Sequence, residues 1–157
     1  MRFNSGRKKM KIVVLAGGTS TERDVSIVSG TGICGGLRAK GHQAVLADVF
    51  CGVESVNWDD PFPKEYDVEA AAAYMKSFNP EIEKMKKERK EFFGPNIMEL
   101  CRRADIVFLG LHGANGEDGR VQAAFDLMGI RYTGTGYLSS AMAMDKGVTK
   151  WMFQLRG

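Results

Sequence analysis

Short apolar segments alternate with amphipathic ones along most of this chain. Four segments have the length and composition of buried strands, at 12–16, 43–50, 105–111 and 131–133. Helical periodicity, or helix start and stop signals, covers the segments 22–40, 96–103, 120–128, 137–144 and 147–153. Strand–helix–strand units of this spacing predict parallel strands joined by right-handed crossovers. We therefore expect an α/β fold, a doubly wound Rossmann-like domain with a parallel sheet of about four strands and helices on both faces.

The segment 51–98 is less regular than the rest. It is rich in turn residues up to Pro63, and its pattern predicts a short helix over 68–78. Asn79-Pro80 then has the composition of a helix start, and the Lys- and Glu-rich segment 81–93 is typical of a solvated surface helix. We assign no chemistry to 51–98 and interpret it as a variable insertion within a single substrate-binding domain that covers 11–157.

Residues 22–40 predict a helix that is unusually rich in small residues. Gly30, Gly32 and Gly35 form a GxGxxG match, but they lie inside the helix and not between a strand and a helix, so we do not interpret them as a dinucleotide site. Each helical glycine costs up to about 1 kcal/mol relative to alanine. Such a helix is expected to pack very close to the sheet or to a ligand.

Composition and charge exclude several classes of protein. The chain has 157 residues and no apolar stretch near the roughly 20 residues that a membrane span needs, so no membrane partner is expected. No apolar signal sequence is recognisable at the N-terminus. Five cations in the first eleven residues account for the basic balance, since without them the formal net charge falls from +3 to −2. We interpret 1–10 as a disordered or vector-derived tail and expect no nucleic-acid partner, because no basic face continues into the domain.

Cysteine and histidine usage argues against a disulfide framework or a metal site. Cys34, Cys51 and Cys101 are odd in number and scattered, with no CxxC spacing. The two histidines, His42 and His112, are far apart in the sequence. We predict no metal ligand in this chain, and three free thiols agree with a reducing, cytoplasmic compartment.

Glycine-rich turns follow three of the predicted strands, at 17–22, 112–119 and 134–136. Ligands of doubly wound sheets bind outside the carboxyl ends of the strands, so the three turns should gather on one edge. In the first turn, Gly17 and Gly18 precede Ser20 and Glu22 at the start of a helix, where backbone N–H groups and the helix dipole favour an anion. A carboxylate at the same place suits a zwitterion such as an amino acid. The alternative is a βα turn whose Glu22 only complements the dipole.

Single residues in the later turns are ambiguous. His112 can bind a ligand carboxylate or phosphate, or transfer a proton, and it can equally hold its own loop by hydrogen bonds. Glu117 and Asp118 have the composition of a helix start, for which a structural role is favoured over a catalytic one. Asp145-Lys146 alone is typical of a solvated pair. The residues by themselves predict an α/β domain that binds a small, charged ligand.

Four motifs in order make the hypothesis more specific: LAGGTSTERDVS (15–26), LHGANGEDG (111–119), YTGTG (132–136) and MDK (144–146). Together they resemble the N-terminal part of bacterial D-alanine–D-alanine ligases of the ATP-grasp superfamily. The resemblance covers residues 11 to about 153 and is weaker over 51–98. Its implied fold is the Rossmann-like domain that precedes the ATP-grasp region.

The resemblance implies a function and a set of site residues. Such ligases use ATP and Mg²⁺ or Mn²⁺ to activate one D-alanine as an acyl phosphate, which the amine of a second D-alanine attacks, to supply peptidoglycan precursors in the cytoplasm. Glu22 would contact the ammonium group of the first D-alanine, and His112 would lie at the same substrate. Lys146 would contribute a point charge to the ATP site. The expected residue set is Glu22 and His112 as catalytic residues, Gly17, Gly18, Ser20, Glu22, His112 and Gly113 for substrate, and Lys146 for the cofactor.

The family also implies residues that have no counterpart before Gly157, namely the ATP-grasp region with most nucleotide contacts and the acidic magnesium ligands. We therefore expect this chain alone to be inactive in ligation. The resemblance implies a homodimer as well. Two alternatives remain open: a non-catalytic binding or dimerisation module, and a ligase of the same family that makes D-alanine–D-lactate or D-alanine–D-serine.

Overall fold

A parallel sheet of three strands organises the computed structural model, which describes residues 8–156. Strands β1 (Lys11–Ala16), β2 (Gln43–Asp48) and β3 (Ile106–Leu109) lie in the order β2-β1-β3. Val13 of the central strand pairs with Val45 on one side and Val107 on the other. The predicted α/β class and the parallel arrangement are confirmed. Most of the predicted tail, residues 1–7, lies outside the described residues.

The predicted fourth strand over 131–133 is wrong in extent. Tyr132 forms a single parallel bridge with Val107, in which Val107 N–H donates to Arg131 O at 2.8 Å and Thr133 N–H donates to Val107 O at 3.0 Å. Gly134 follows at once with a φ of 104°, a left-handed conformation that leaves the extended region. The ladder therefore ends after one bridge, and the sheet has three strands and not four.

Seven α-helices and one 3₁₀ turn are present in residues 8–156. They are α1 (Arg23–Ala39), α2 (Val68–Ser77), the 3₁₀ turn (Asn79–Glu81), α3 (Ile82–Glu88), α4 (Ile97–Arg103), α5 (Arg120–Leu127), α6 (Tyr137–Met144) and α7 (Lys146–Gln154). The helix predicted over 81–93 ends at Glu88. Asn79 is not the helix cap that its composition predicted, because its side chain bonds to α1 instead. None of these helices is long and apolar enough to cross a membrane.

Two cores lie on opposite faces of the sheet, as the alternation of side chains along β1 requires. Ile12, Val14 and Ala16 face a core that includes Ile27 of α1 and Met75 of α2. Val13 and Leu15 face the second core. There they meet buried residues of α4, α5 and the 51–98 segment, including Ile97, Leu100, Phe125, Phe62 and Ile82. Helices therefore cover both faces, and the segment interpreted as an insertion contributes to the core.

A close approach of α1 to the sheet depends on Gly30. A Cβ built on Gly30 would lie 2.6 Å from Ala16 Cβ and 3.1 Å from Leu46 Cδ1, whereas a Cβ on Gly32 meets nothing within 4 Å. Close packing against the sheet therefore requires a glycine at position 30, whereas position 32 has room for a side chain.

Replacing these two glycines separately should have opposite effects. We expect Gly30→Ala to lower the free energy of unfolding by about 1–3 kcal/mol through overpacking. Gly32→Ala should raise it by about 0.5–1 kcal/mol, since alanine is the better helix former. Urea unfolding of the two variants beside the parent chain measures both. Equal effects of the two substitutions would contradict the close approach.

Candidate functional site

The first two glycine-rich turns are joined by the hydroxyl of Ser20. Ser20 Oγ donates to His112 O at 2.7 Å and accepts the Glu22 N–H at 3.2 Å. Ser20 O also accepts the Arg23 N–H at 3.2 Å, which starts the first turn of α1. One side chain therefore fixes the end of β1, the beginning of α1 and the loop after β3 relative to one another.

Gly17 and Gly18 adopt left-handed conformations, with φ of 74° and 84°. A Cβ on Gly17 would overlap the Asp48 carboxylate, so the position also has no room for a side chain. Gly17 N–H donates to Ser26 Oγ at 2.9 Å, and Gly18 N–H is directed at Asp48 Oδ1 at 3.4 Å. These two amides already have acceptors inside the protein, so the glycines shape the turn and do not present free donors to a ligand in this structure.

A buried ion pair lies beneath the glycine turn. Arg23 Nη2 is 2.6 Å from Asp48 Oδ2, and the two side chains are 8% and 0% exposed. Asp48 Oδ1 also accepts the N–H groups of Phe50 and Cys51 at 2.9 and 3.0 Å. Burial raises the pKa of the Cys51 thiol to about 12, and the Asp48 carboxylate adds to the increase. Cys51 is therefore a neutral neighbour of the pair and not a reactive thiolate.

Glu22 lies at the edge where the His112 loop emerges. A Cβ on Gly113 would be 2.8 Å from Glu22 Oε2 and 3.1 Å from Ser20 Cβ. The side chain of Glu22 is exposed, directly before the positive end of α1. Carboxylate, helix N-terminus and the Gly113 backbone therefore meet at one place, as the zwitterion hypothesis requires.

One ring nitrogen of His112 contacts α1, and the other faces the loop that follows His112. Nε2 is 3.2 Å from Ser29 Oγ, and Nδ1 is 4.0 Å from Glu117 Oε1. Glu117 Oε2 accepts the Gly113 N–H at 2.7 Å, so the same carboxylate holds the backbone that follows His112. The half-exposed imidazole is thus oriented by Ser29 of α1, because the distance from Nδ1 to Glu117 is too long for a hydrogen bond.

The third glycine-rich turn joins the same edge. Leu109 N–H donates to Thr133 Oγ1 at 3.1 Å, which ties the end of β3 to residues 132–134. A cavity of about 360 Å³ lies between this turn, the Glu117 loop and α6, with Gly116, Glu117 and Thr135 in its lining. All three predicted turns are therefore neighbours.

Lys146 is not connected to this cluster by any hydrogen bond or ion pair in residues 8–156. It is exposed at the beginning of α7. Its neighbour Asp145 caps that helix, because Oδ1 accepts the N–H groups of Gly147 and Val148 at 2.8 and 3.0 Å. No group of three His, Cys, Asp or Glu side chains within the described part of the chain could hold a metal ion.

Sequence reasoning missed Arg23, Asp48, Ser26 and Asn79. One signal was available for the ion pair: Asp48 interrupts an apolar strand, and a buried carboxylate needs a partner. Arg23 lies inside the LAGGTSTERDVS motif, next to the residue to which the function was assigned. Nothing in the sequence pattern indicates that Asn79, over fifty positions away, reaches the same turn.

The fold is a Rossmann-like α/β domain, and the candidate site lies at the carboxyl edge of its sheet, where ligands of such folds bind. The family model described as "D-ala D-ala ligase N-terminus" matches residues 11–135. The chain therefore belongs to the family of D-alanine–D-alanine ligase N-terminal domains.

Known relatives agree with this assignment. The chain is 45% identical over 156 residues to a D-alanine–D-alanine ligase of Lacticaseibacillus casei, and the match covers 94% of this chain and 43% of that protein. The relative from Halalkalibacterium halodurans is 37% identical, with 94% of this chain and 35% of that protein covered. The chain thus spans about two fifths of the length of these curated relatives.

Solved structures lead to the same family. A Bacillus anthracis D-alanine–D-alanine ligase in complex with ATP superposes with a TM-score of 0.60 at 26% identity, covering 94% of this chain and 37% of that one. The Coxiella burnetii ligase superposes with a TM-score of 0.59 at 25% identity, covering 95% and 42%. The resemblance found in the four sequence motifs is confirmed.

Removing the hydroxyl of Ser26 should loosen the glycine turn. Ser26 Oγ accepts from Gly17 N–H and donates to Gly110 O at 2.7 Å, and the residue is fully buried. Ser26→Ala leaves both groups without their partner and should cost about 1–3 kcal/mol of unfolding free energy. Ser77→Ala, which removes an exposed hydroxyl at the end of α2, is the control and should cost far less. If the Ser26→Ala and Ser77→Ala variants had equal midpoints in thermal unfolding, the assigned role of Ser26 would be contradicted.

Proposed function

We propose that this chain forms the first-substrate side of an ATP-dependent D-alanine–D-alanine ligase. The observation that carries the proposal is the position of the Glu22 carboxylate beside Gly113 and the start of α1, 2.8 Å from where a Gly113 Cβ would lie. Family membership supports the same activity, because the relatives are named for it. In this proposal the product serves peptidoglycan precursor synthesis in the cytoplasm.

In the proposed mechanism, the residues of this chain bind and orient the first D-alanine. The Glu22 carboxylate accepts from the substrate ammonium, and the positive end of α1 stabilises negative charge on the substrate carboxyl group. His112, whose Nε2 contacts Ser29, donates from Nδ1 to an oxygen of that carboxyl group. Gly17, Gly18 and Gly113 fix the backbone geometry of this site and leave no side chain in its way, and the Ser20 hydroxyl joins its two turns.

The cofactor contribution of this chain is limited to Lys146. When bound, ATP with Mg²⁺ or Mn²⁺ supplies the phosphoryl group that activates the substrate carboxylate as an acyl phosphate. The exposed ammonium group of Lys146, at the start of α7, suits a phosphate contact as a point charge. The described residues offer no cluster for the metal, so we assign its ligation to the part of the relatives that this chain does not match.

The isolated chain is accordingly proposed to bind without ligating. The homodimer that the resemblance implies stays a prediction, which sedimentation of the chain would test.

A chimera tests the activity directly. Residues 11–153 of this chain replace the matching N-terminal part of the Lacticaseibacillus casei ligase, which supplies the remaining three fifths. We expect release of phosphate from ATP that depends on D-alanine, and formation of the dipeptide. A folded chimera that binds ATP but releases no phosphate with D-alanine would contradict the proposed function.

The role of Glu22 is tested in the same chimera. Glu22→Gln keeps the size of the side chain and removes the charge that pairs with the ammonium group, so the KM for the first D-alanine should rise roughly 10–100-fold, the range for loss of a charge-assisted contact. The KM for ATP should stay the same. Glu83→Gln, on the exposed face of α3, is the matched control. An unchanged response to D-alanine in the Glu22 variant would remove this residue from the site.

A further inference from the structure

Arg23 distributes its hydrogen bonds over three parts of the chain. Nη1 donates to Gly18 O in the glycine turn at 2.8 Å, and Nη2 pairs with Asp48 at the end of β2. The remaining bonds go to the 51–98 segment: Nη2 donates to Met75 O at 2.8 Å, and Nε donates to Asn79 Oδ1 at 2.8 Å. The planar guanidinium is needed for this geometry, since an ammonium group cannot donate in three fixed directions in one plane.

The side-chain amide of Asn79 makes two hydrogen bonds with the first turn of α1. Its oxygen accepts from Arg23 Nε, and its Nδ2 donates to Asp24 Oδ1 at 2.7 Å. Arg23 and Asp24 are the two residues that directly follow Glu22. A single side chain, fifty-five positions after Asp24, therefore holds the backbone that carries the Glu22 carboxylate.

The helix that precedes Asn79 is packed into the core. Asn79 follows α2, whose Ala72 and Met75 are buried against Ile27 of α1 and the sheet. Arg23 is itself 6% exposed, so its contact with Met75 O is shielded from water. If the end of α2 moved, Arg23 would move with it, and Gly18 and Glu22 would be displaced as well.

We infer that Asn79 is a positioning residue for the first-substrate site and acts through Arg23 and Asp24. This inference rests on the proposed function, and it gives the 51–98 segment a role in substrate affinity. Asn79 touches no reacting atom. Its effect lies in the placement of Glu22, so it should appear in the KM for the first D-alanine and not in the KM for ATP.

The test uses the ligase chimera with Asn79→Ala. We expect the KM for the first D-alanine to rise roughly tenfold, because small displacements of a positioning group have large effects on binding and catalysis. The KM for ATP should be unchanged. Asn57→Ala, an exposed asparagine of the same segment whose side chain only accepts from Asp59 N–H, is the control and should match the unaltered chimera.

A double variant separates positioning from general destabilisation. Asn79→Asp with Asp24→Asn exchanges donor and acceptor in the bond between the two residues and keeps an acceptor for Arg23 Nε. The pair should restore the KM for D-alanine to within about threefold of the unaltered chimera, whereas Asn79→Asp alone places two carboxylates together and should raise it.

The outcomes distinguish the two proposals. An inactive, folded chimera with no substitution would contradict the proposed function. An active chimera in which Asn79→Ala lowers only the melting temperature, with the KM for D-alanine unchanged, would overturn the positioning role and leave the proposed function intact. Equal increases in the KM values for ATP and for D-alanine would overturn it as well, because they would indicate a general loss of structure.

Discussion

The buried ion pair of Arg23 and Asp48 is the interaction on which the rest of the site depends. The two side chains are 8% and 0% exposed, and removing one partner of such a buried pair typically costs about 3–5 kcal/mol. Arg23 also donates to Gly18 O, Met75 O and Asn79, and Asp48 Oδ1 accepts the amides after β2, whereas Asp48 Oδ2 has the ionic contact with Arg23 and no hydrogen bond within residues 8–156. Both members of the ion pair therefore hold the backbone of the glycine turn, Arg23 through Gly18 O and Asp48 through the Gly18 N–H.

The groups assigned to the proposed site lie at the surface, next to the turn that this ion pair holds. Ser20 joins the two turns through its hydroxyl, and the Glu22 carboxylate lies exposed beside Gly113. The Gly17 and Gly18 amides are used internally, so in the proposed site the attraction for an anion comes from the positive end of α1. In the proposed site, therefore, the Gly17 and Gly18 amides build the turn, whereas the Glu22 carboxylate and the end of α1 are the groups assigned to the ligand.

Sequence patterns were sufficient to predict the α/β architecture and the edge of the sheet where the glycine-rich turns meet. The parallel strands, most of the helices and the gathering of the glycine turns follow from local apolar runs and from the topology of α/β sheets. Residues 131–133 did not form a full strand because Gly134 takes the chain out of the extended region after a single bridge with Val107. The sequence pattern could not predict the contacts of Asn79 with α1, because they depend on how the segment 51–98 packs on that helix. No periodicity in the sequence encodes a side-chain hydrogen bond across fifty-five residues.

The roles of Glu22 and His112 rest on the resemblance and on their geometry together. The sequence pattern alone left the roles of both residues open. The geometry supports the proposed roles, because Ser29 orients His112 while Glu22 stays exposed at the same edge. The amides of Gly17 and Gly18, which are predicted to bind substrate, bond within the protein, so in the proposed site these glycines contribute through their backbone conformation. Their requirement is conformational, which a pattern of glycines shows only indirectly.

The central claim is that this edge recognises a small molecule by its ammonium group. An amide NMR titration of the ¹⁵N-labelled chain with D-alanine, and separately with D-lactate, tests it most directly, because the two ligands share a carboxylate and differ in the charged amine. We predict that D-alanine shifts the amides of residues 20–22 and 112–113 and that D-lactate shifts them far less at the same concentration. Equal shifts with both ligands, or shifts confined to other parts of the chain, would contradict the account.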